Sequence, residues 1–427
     1  MKNFINSKLL PIVMKFTNLK GIIALREGMS AILTITVVGS IFLLLAEFPY
    51  EPIKIFLADK GISPYLYQVF NSTFNMLSLV CSITIAYSYA KNEKIEPIGC
   101  VITSLVSFLI VSNQFIIQDD KKISGVLSLA NTLGARGMIA AIIVSLMSSY
   151  LYCLFIKKKM IIKMPESVPQ GVANSFSALI PGAIILSIFA LVYGIINIVT
   201  SGDLVDIIYK LVQTPLLNLT DSLIGVMIIG FVVSFLWWFG IHGNNVVGGI
   251  MTGIWLSAIA NNQEIINKGL VLTSENGGRI VTYQFHYLLI TVTGSGITIG
   301  MVIAMLLSAR SQQFKQIGRL SIVPAIFNIN EPVMFGTPIV FNPILFIPFV
   351  CTPMIVSLIS YLSIKSGLVP MFGGVNPPWT TPPILSGLLS GGIRTAILQI
   401  IIIAISTAIY YPFVIYLDKK ALEQEKR

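Results

Sequence analysis

Apolar runs long enough to cross a membrane recur along this chain, and they constrain its fold more than any other feature. A hydrocarbon core of about 30 Å needs roughly 20 apolar residues per helix. Such runs occupy 28–46, 68–90, 97–117, 137–156, 176–200, 221–241, 284–307, 343–364 and 393–417. Shorter segments interrupted by Gly and Pro lie at 244–260, 321–341 and 368–391, and they are too interrupted for plain spanning helices. The pattern predicts an all-α polytopic membrane protein.

The low content of charged residues excludes most soluble classes. Only 11% of the 427 residues are charged and 55% are hydrophobic, whereas soluble proteins carry roughly 25% charged residues. Ordinary cytosolic enzymes, disordered scaffolds and nucleic-acid binders are therefore excluded. The 28 Lys and Arg exceed the 18 Asp and Glu, but they lie mainly at the ends of the apolar runs. They indicate membrane orientation rather than a polyanionic partner.

The distribution of basic residues predicts that the N-terminus faces the cytoplasm. The N-terminal arm 1–27, the loops 91–96 and 157–163 and the tail 419–427 are basic, whereas the loop 46–67 holds three acidic residues against two lysines. Cytoplasmic segments of membrane proteins are enriched in Lys and Arg. The arm has no cleavage site and mixes lysines with apolar residues, which favours an amphipathic helix on the inner membrane surface.

The chain divides at about residue 200 into regular spans and a second half that holds both histidines and most of the prolines. The predicted parts are a cytoplasmic arm (1–27), a transmembrane scaffold (28–200), an amphipathic connector (201–220), a transport domain (221–418) and a cytoplasmic tail (419–427). The four cysteines lie far apart inside apolar stretches and form no metal or disulfide motif. We therefore expect no metal and no cofactor.

A first polar cluster follows a predicted span in the segment 237–245, which reads WWFGIHGNN. His242 can exchange a proton near neutral pH, and Asn244 and Asn245 offer amide donors and acceptors. The alternative is an interfacial aromatic belt with a loop histidine. His286, in a later span, is either a binding residue or a histidine of the core.

A second cluster lies in the segment 327–338, which reads FNINEPVMFGTP. Pro332 disfavours helix at the preceding residue, so Glu331 is predicted to be non-helical, with Asn330 beside it. A carboxylate at membrane depth costs a few kcal/mol and is a functional candidate. It must meet a polar ligand, a histidine or water. The alternative is an ordinary loop between two spans.

Two further residues carry weaker signals. Trp379 lies in the proline-rich segment 373–383 and offers an indole face to the apolar side of a sugar ring; the alternative is a membrane-surface anchor. Arg136, in the segment 133–137, opens the fourth span and either reaches a polar pocket or anchors at the interface.

The segments 239–245, 328–338, 376–383 and, more loosely, 133–137 occur in the order of a known family. The chain resembles the membrane permease (IIC) component of the bacterial phosphoenolpyruvate-dependent sugar phosphotransferase system, in its lactose/cellobiose/chitobiose branch. The resemblance covers essentially the whole chain. Arg136 departs from the smaller or amide side chain expected there, which could alter sugar choice.

The resemblance implies a multi-pass protein of the bacterial inner membrane, embedded in lipid, with about ten transmembrane helices and two re-entrant hairpins. It implies a homodimer formed by the first five helices and one disaccharide bound by the second half of each subunit. Glu331 and His242 would lie by the 6-hydroxyl of the sugar as the catalytic pair, and which of them is the base stays open. The expected substrate-binding residues are Asn244, Asn245, Asn330, Trp379, Arg136 and His286.

The phosphoryl group would come from a phosphocysteine on a separate cytoplasmic IIB protein. The chain would then be a transport protein that takes part in phosphotransfer and has no stand-alone activity. Two alternatives are an ion-coupled secondary sugar transporter and a membrane-embedded enzyme that uses Glu331 and His242 as acid and base. One carboxylate and one histidine, without an Asp/Glu relay, favour the uptake of an uncharged sugar that is trapped by phosphorylation.

Overall fold

The computed structural model describes residues 11, 15, 17–47, 51–118, 121–165, 167–200, 202–337 and 339–425. Most of the predicted amphipathic arm, Pro338 and the tail residues Lys426 and Arg427 therefore lie outside the described residues. Residues 20–27, the described end of the arm, are helical and continue directly into the first span.

Helices make up most of the described first half. They are α1 (Lys20–Ala46), α2 (Glu51–Asp59), α3 (Ser63–Phe74), α4 (Leu77–Asn92), α5 (Pro97–Ile110), α6 (Met138–Lys157), α7 (Gln170–Thr200), α8 (Leu204–Ile208) and α9 (Thr214–Thr220). Short π-helices lie at Leu129–Leu133 and Tyr209–Gln213, and a 3-10 turn at Ala135–Gly137. Strands β1 (Phe115–Gln118) and β2 (Lys121–Ser124) pair antiparallel, with Phe115 opposite Ser124.

The described second half is helical between long breaks. Its helices are α10 (Leu223–Trp238), α11 (Gly243–Asn267), α12 (Tyr283–Phe285), α13 (Ile299–Ser308), α14 (Gln312–Ile326), α15 (Glu331–Gly336), α16 (Pro343–Lys365) and α17 (Leu385–Glu425). A π-helix, His286–Ile290, continues α12. Helix α17 is kinked at Gly392, whose φ of 74° is left-handed.

Among the described residues, five helices are long and apolar enough to cross a membrane: α1, α6, α7, α16 and α17. The number rises to seven if α3 with α4, bent by 42°, and the α8–α9 segment with α10, bent by 79°, each count as one span. Helices α5 and α13 are apolar but shorter. The all-α polytopic fold is confirmed, whereas the number of ten spans stays a prediction.

The chain forms two compact units. The first unit comprises residues 1–42, 64–217 and 249–260, and the second comprises 43–63, 218–248 and 261–427. The predicted division into a scaffold (28–200) and a transport domain (221–418) with separate functions stays a prediction.

Close backbone approach holds the first unit together. A Cβ on Gly28 of α1 would lie 2.7–2.9 Å from atoms of Ile85 in α4, so the two helices touch without an intervening side chain. Ser104 of α5 donates a hydrogen bond to the carbonyl of Ser82 in α4 at 3.1 Å. Small residues and interhelical hydrogen bonds of this kind are what holds helices together where lipid removes the hydrophobic driving force.

Two predictions about the spans were wrong. The segment 244–260, predicted to be interrupted, lies within the continuous helix α11. Its glycines serve close packing: a Cβ on Gly253 would lie 3.1 Å from Ile142 in α6. The segment 97–117, predicted as one span, leaves its helix at Ile110 and enters β1. The predicted loop 46–67 contains α2 and the start of α3.

The predicted span 284–307 is also wrong, because the helix is broken from Thr291 to Thr298 before α13 begins. Thr293 (φ 63°) and Ile297 (φ 53°) are left-handed, which is a genuine outlier for β-branched residues. Hydropathy averaged over the run could not show this break, because the apolar residues on either side outweigh the Thr, Ser and Gly residues within it. Hydrogen bonds from elsewhere in the second unit hold it open. The breaks predicted at 321–341 and 368–391 are confirmed.

Candidate functional site

Three non-helical segments of the second unit are joined by one side chain. We call them break A (291–298), break B (327–330) and break C (366–384). Asn328, in break B, accepts a hydrogen bond from the backbone N–H of Thr293 in break A at 2.7 Å. Its Nδ2 donates to the carbonyls of Trp379 at 2.6 Å and Thr381 at 2.9 Å in break C. Asn328 has a φ of 63°, a conformation that asparagine tolerates better than most residues.

Asn330 ties the end of break B to break A. Its Nδ2 donates to the carbonyl of Ser295 at 2.9 Å, and the residue is 4% exposed. Gly294 (φ 95°) passes so close that a Cβ there would lie 2.5–2.7 Å from the Asn330 side chain. Only glycine fits at that position. The amide of Asn330 is therefore engaged with the backbone and holds the position of the next residue, Glu331.

Glu331 begins the helix α15, so the prediction that it is non-helical was wrong. Proline is tolerated in the first turn of a helix, where its missing N–H has no intrahelical partner, and Pro332 occupies that turn. The break lies just before it, at 327–330. Glu331 is half-buried, and it is the acid that directly follows the junction of the three breaks.

His242 caps the N-terminus of α11. Its Nδ1 accepts a hydrogen bond from the backbone N–H of Asn245 at 3.2 Å, and its ring lies 4.5 Å from that of Trp237, centroid to centroid. A Cβ on Gly243 would lie 2.0 Å from the carbonyl of Val233, so only glycine allows this tight turn. Because Nδ1 is an acceptor, the neutral imidazole carries its proton on Nε2.

Asn244 and His286 are brought together by the fold. The Oδ1 of Asn244 lies 3.3 Å from the Nε2 of His286, and His286 is fully buried. With Nε2–H as the donor, both N–H groups of the Asn244 amide remain available for other acceptors. The buried His286 can therefore hold the side-chain amide of Asn244 in one orientation. Its π-helical setting is of a kind that recurs at functional sites.

Trp379 and Asn245 are the most open of the predicted site residues. Trp379 is 49% exposed, while its backbone is fixed by Asn328. Its indole face is thus available to a flat apolar surface. Asn245 is exposed, and its backbone N–H serves the His242 cap.

Two buried glutamines that the sequence reasoning missed hold break C in place. Gln399 accepts from the N–H groups of Ile384 (2.6 Å) and Gly387 (3.0 Å) and donates to the carbonyl of Leu288 at 2.9 Å. Gln284 donates to the carbonyls of Gly373 at 2.8 Å and Val375 at 3.0 Å, both in break C. An amide within an apolar run was the signal that could have found both residues, since a polar group there needs partners.

Arg136 lies in the first unit and has partners there. Its guanidinium is 2.9 Å from the carboxylate of Asp206 and lies 4.5 Å above the ring of Tyr209. Its predicted part in sugar choice stays a prediction. Among the described residues, no group of three or more His, Cys, Asp and Glu side chains could hold a metal ion.

Comparison with known proteins identifies the family of the chain. The family model of the phosphotransferase system EIIC proteins matches residues 26–353. The chain belongs to this EIIC family. It is 34% identical over 436 residues to the lichenan permease IIC component of Bacillus subtilis (strain 168), covering 100% of this chain and 95% of the relative. It is also 34% identical to the cellobiose-specific EIIC component of Geobacillus stearothermophilus, over 99% of this chain and 95% of that one.

A solved structure is similar along its whole length. The crystal structure of the transporter ChbC, the IIC component of the N,N'-diacetylchitobiose-specific phosphotransferase system, matches with a TM-score of 0.94 and 37% identity, over 99% of both chains. The resemblance inferred from the motifs is therefore confirmed. This EIIC protein is a sugar permease component and a multi-pass protein of the bacterial inner membrane.

Proposed function

We propose that this EIIC protein binds a β-linked disaccharide from outside, moves it inward by alternating access and presents its 6-hydroxyl to the phosphocysteine of a separate IIB protein. The observation that carries the proposal is the set of hydrogen bonds by which Asn328 joins the three breaks. They fix the backbone of Trp379, whose indole is open, relative to break B, which leads directly into Glu331. The relatives named for cellobiose and N,N'-diacetylchitobiose, which are both β-linked disaccharides, support the disaccharide class.

We assign the base to Glu331 and the hydrogen-bond donor to His242. Protonation of His242 at Nδ1 would break its hydrogen bond with the N–H of Asn245, whereas Nε2 already carries a proton. In the transfer step, the sugar O6 forms a bond to phosphorus while the S–P bond of the phosphocysteine breaks. The cysteine sulfur leaves as a thiolate with the bonding electrons, and the hydroxyl proton passes to Glu331. Nε2–H of His242 holds O6 in line.

The remaining predicted residues divide into contact and positioning roles. Trp379 stacks on the apolar face of a sugar ring, and Asn244 and Asn245 donate to hydroxyls. His286 positions Asn244, because it is fully buried against that amide. Asn330 positions Glu331 through its bond to Ser295. A site built from hydrogen bonds to hydroxyls discriminates strongly against sugars that lack them.

The homodimer implied by the resemblance forms part of this proposal, with the first five spans as its contact surface. Helix α7 supports it, because only 17% of its most apolar stretch is buried within the chain. A second copy and the surrounding lipid together cover that surface.

The test is uptake of radiolabelled cellobiose and N,N'-diacetylchitobiose by proteoliposomes, with and without phosphorylated IIB protein inside. We expect equilibration alone without IIB and accumulation of the sugar 6-phosphate with it. Glu331→Gln should equilibrate sugar but form little product, whereas Glu275→Gln, the same change at an exposed turn, should behave as wild type. Accumulation of unmodified sugar driven by a proton or sodium gradient would instead establish an ion-coupled transporter. Turnover without sugar crossing would establish an enzyme.

A further inference from the structure

The first unit contains a cavity of about 950 Å³ that the proposed transport chemistry does not use. It lies between the start of α5, the end of α6 and the first half of α7. Its volume is at the upper end of the roughly 300–1,000 Å³ of small-molecule sites. All of its lining residues belong to the first unit, whereas Glu331, His242 and Trp379 belong to the second.

Small residues on α7 create the space. Ala178, Gly182 and Ala183 line the cavity, and a Cβ on Gly182 would find Thr103 Oγ1 of α5 as its nearest neighbour at 3.6 Å. A larger side chain at Gly182 would thus extend into the cavity without disturbing the helix contact. At Gly99 the situation is the opposite, since a Cβ there would lie 2.2 Å from the hydroxyl of Tyr152. A Cβ on Gly99 would also lie 2.8 Å from the Cβ of Ala178, so α5, α6 and α7 close the cavity there, whereas Gly182 has room beside it.

The cavity changes from apolar to polar along its length. Counted along the helices from the basic loops, the inner part of the cavity is lined by Ile102, Val106 and Leu186, and the mouth by Lys94, Glu96, Gln170, Asn174 and Ser175. An apolar inner part with a polar mouth has the chemistry of a lipid: acyl chains fit the inner part and a headgroup fits the mouth.

The lining holds one cation, Lys94, and one anion, Glu96, and the loop that follows α6 adds lysines near the mouth. Ile161 lines the cavity and lies in this basic loop, so the exposed Lys158, Lys159 and Lys163 are close to it in sequence. Together with Lys94 these lysines outnumber Glu96, so the region around the mouth is basic. Both loops are predicted to lie on the cytoplasmic side. Basic pockets between transmembrane helices on that side bind anionic lipid headgroups.

We propose that this cavity binds one anionic phospholipid, with its phosphate at Lys94 and its acyl chains along the small-residue face of α7. The charge favours a lipid over a second copy of the chain. In a twofold dimer centred on this cavity, the patch of one subunit would meet its own copy, and the two basic loops would face each other. An anionic phosphate neutralises the mouth instead.

The test compares four variants of the purified full chain. Gly182→Phe fills the cavity, and Gly194→Phe is its control on the same helix, because Gly194 has open space around it and does not line the cavity. Lys94→Asn removes the cation at the mouth and suits the left-handed backbone there (φ 59°). Lys91→Asn is the control, since Lys91 lies three residues earlier, in the last turn of α4, and does not line the cavity.

The readout is native mass spectrometry after exchange into micelles doped with phosphatidylglycerol or with phosphatidylcholine of the same acyl chains. Wild type and both controls should retain one phosphatidylglycerol per chain in preference to phosphatidylcholine. Gly182→Phe should lose at least tenfold of the bound lipid, and Lys94→Asn should keep lipid but lose the preference for phosphatidylglycerol. Disaccharide binding, proposed for the other unit, serves as the check that each variant is folded.

Three results would overturn the proposal. The first is that wild type retains no lipid. The second is that Gly182→Phe retains as much phosphatidylglycerol as Gly194→Phe while binding sugar normally. The third is that Gly182→Phe converts the dimer to a monomer without changing lipid retention, in which case a second copy of the chain occupies the cavity.

Discussion

Replacing Asn328 by glycine tests whether one amide assembles the sugar site. Glycine keeps the left-handed backbone (φ 63°) without strain and removes all three hydrogen bonds of the side chain. The change therefore separates the three breaks without touching Glu331 or Trp379 directly. We expect weaker sugar binding because the two proposed contact groups lose their common support.

The magnitude follows from the bonds that are lost. Three neutral hydrogen bonds contribute about 0.5–1.5 kcal/mol each. Asn328 is half-exposed, so water replaces part of each bond and the total belongs in the lower range, about 1.5–3 kcal/mol. If sugar binding must restore the arrangement, the dissociation constant rises by about 10- to 150-fold, at about 1.4 kcal/mol per tenfold. The free energy of unfolding falls by no more than the same amount.

Isothermal titration calorimetry with the purified protein and cellobiose or N,N'-diacetylchitobiose measures the effect. Asn276→Gly is the matched control, because Asn276 donates to the carbonyl of Val271 in an exposed turn and should leave affinity unchanged. Asn328→Asp keeps the acceptor for Thr293 but sets a carboxylate oxygen against two carbonyls, so it should bind no better than Asn328→Gly. Affinity of Asn328→Gly within twofold of wild type would refute the assignment of Asn328 as the support of the site.

Three further substitutions have distinct expected outcomes. His242→Asn keeps a capping oxygen and should slow phosphotransfer with little loss of stability, whereas His242→Ala should also cost about 1 kcal/mol of unfolding free energy in a denaturant titration. Trp379→Ala should weaken sugar binding by about 1–3 kcal/mol in calorimetry, the size of a buried aromatic contact. Glu93, whose side chain is 5% exposed, pairs with Lys20 at 2.5 Å and with Lys157. Glu93→Gln removes the buried charge of this pair. Because both lysines are largely solvated, the loss of unfolding free energy should be limited to about 1–3 kcal/mol, and sugar affinity should be unchanged.

Each of these expectations has an outcome that contradicts it. Phosphotransfer at the wild-type rate in His242→Asn would remove the imidazole from the transfer step. Unchanged affinity in Trp379→Ala would leave the indole outside the site, and Trp379→Phe, which keeps a ring, should lose less than alanine. A change in sugar affinity in Glu93→Gln would show that this ion pair acts on more than the first unit.

The motifs predicted which residues form the candidate site but not how those residues are bonded. Glu331, His242 and Trp379 stand out because polar or aromatic residues with glycine or proline beside them interrupt apolar sequence. Asn328 lies in the same segment as Glu331, yet the sequence does not distinguish its bridging role from the positioning role of Asn330. That distinction depends on which carbonyls lie within 3 Å, and those carbonyls are up to 53 residues away.

The sequence alone determined that this chain is an all-α protein of the membrane and a member of the EIIC family, because both conclusions depend on local composition and on short motifs. Only the tertiary structure decided which apolar runs are continuous helices. The run 284–307 is broken where Asn328 and Asn330 bind its backbone, while 244–260 stays helical despite its three glycines, one of which, Gly253, packs closely against α6. Hydropathy measures how well a residue suits lipid. Whether its backbone stays helical there depends on the hydrogen bonds offered by distant parts of the chain.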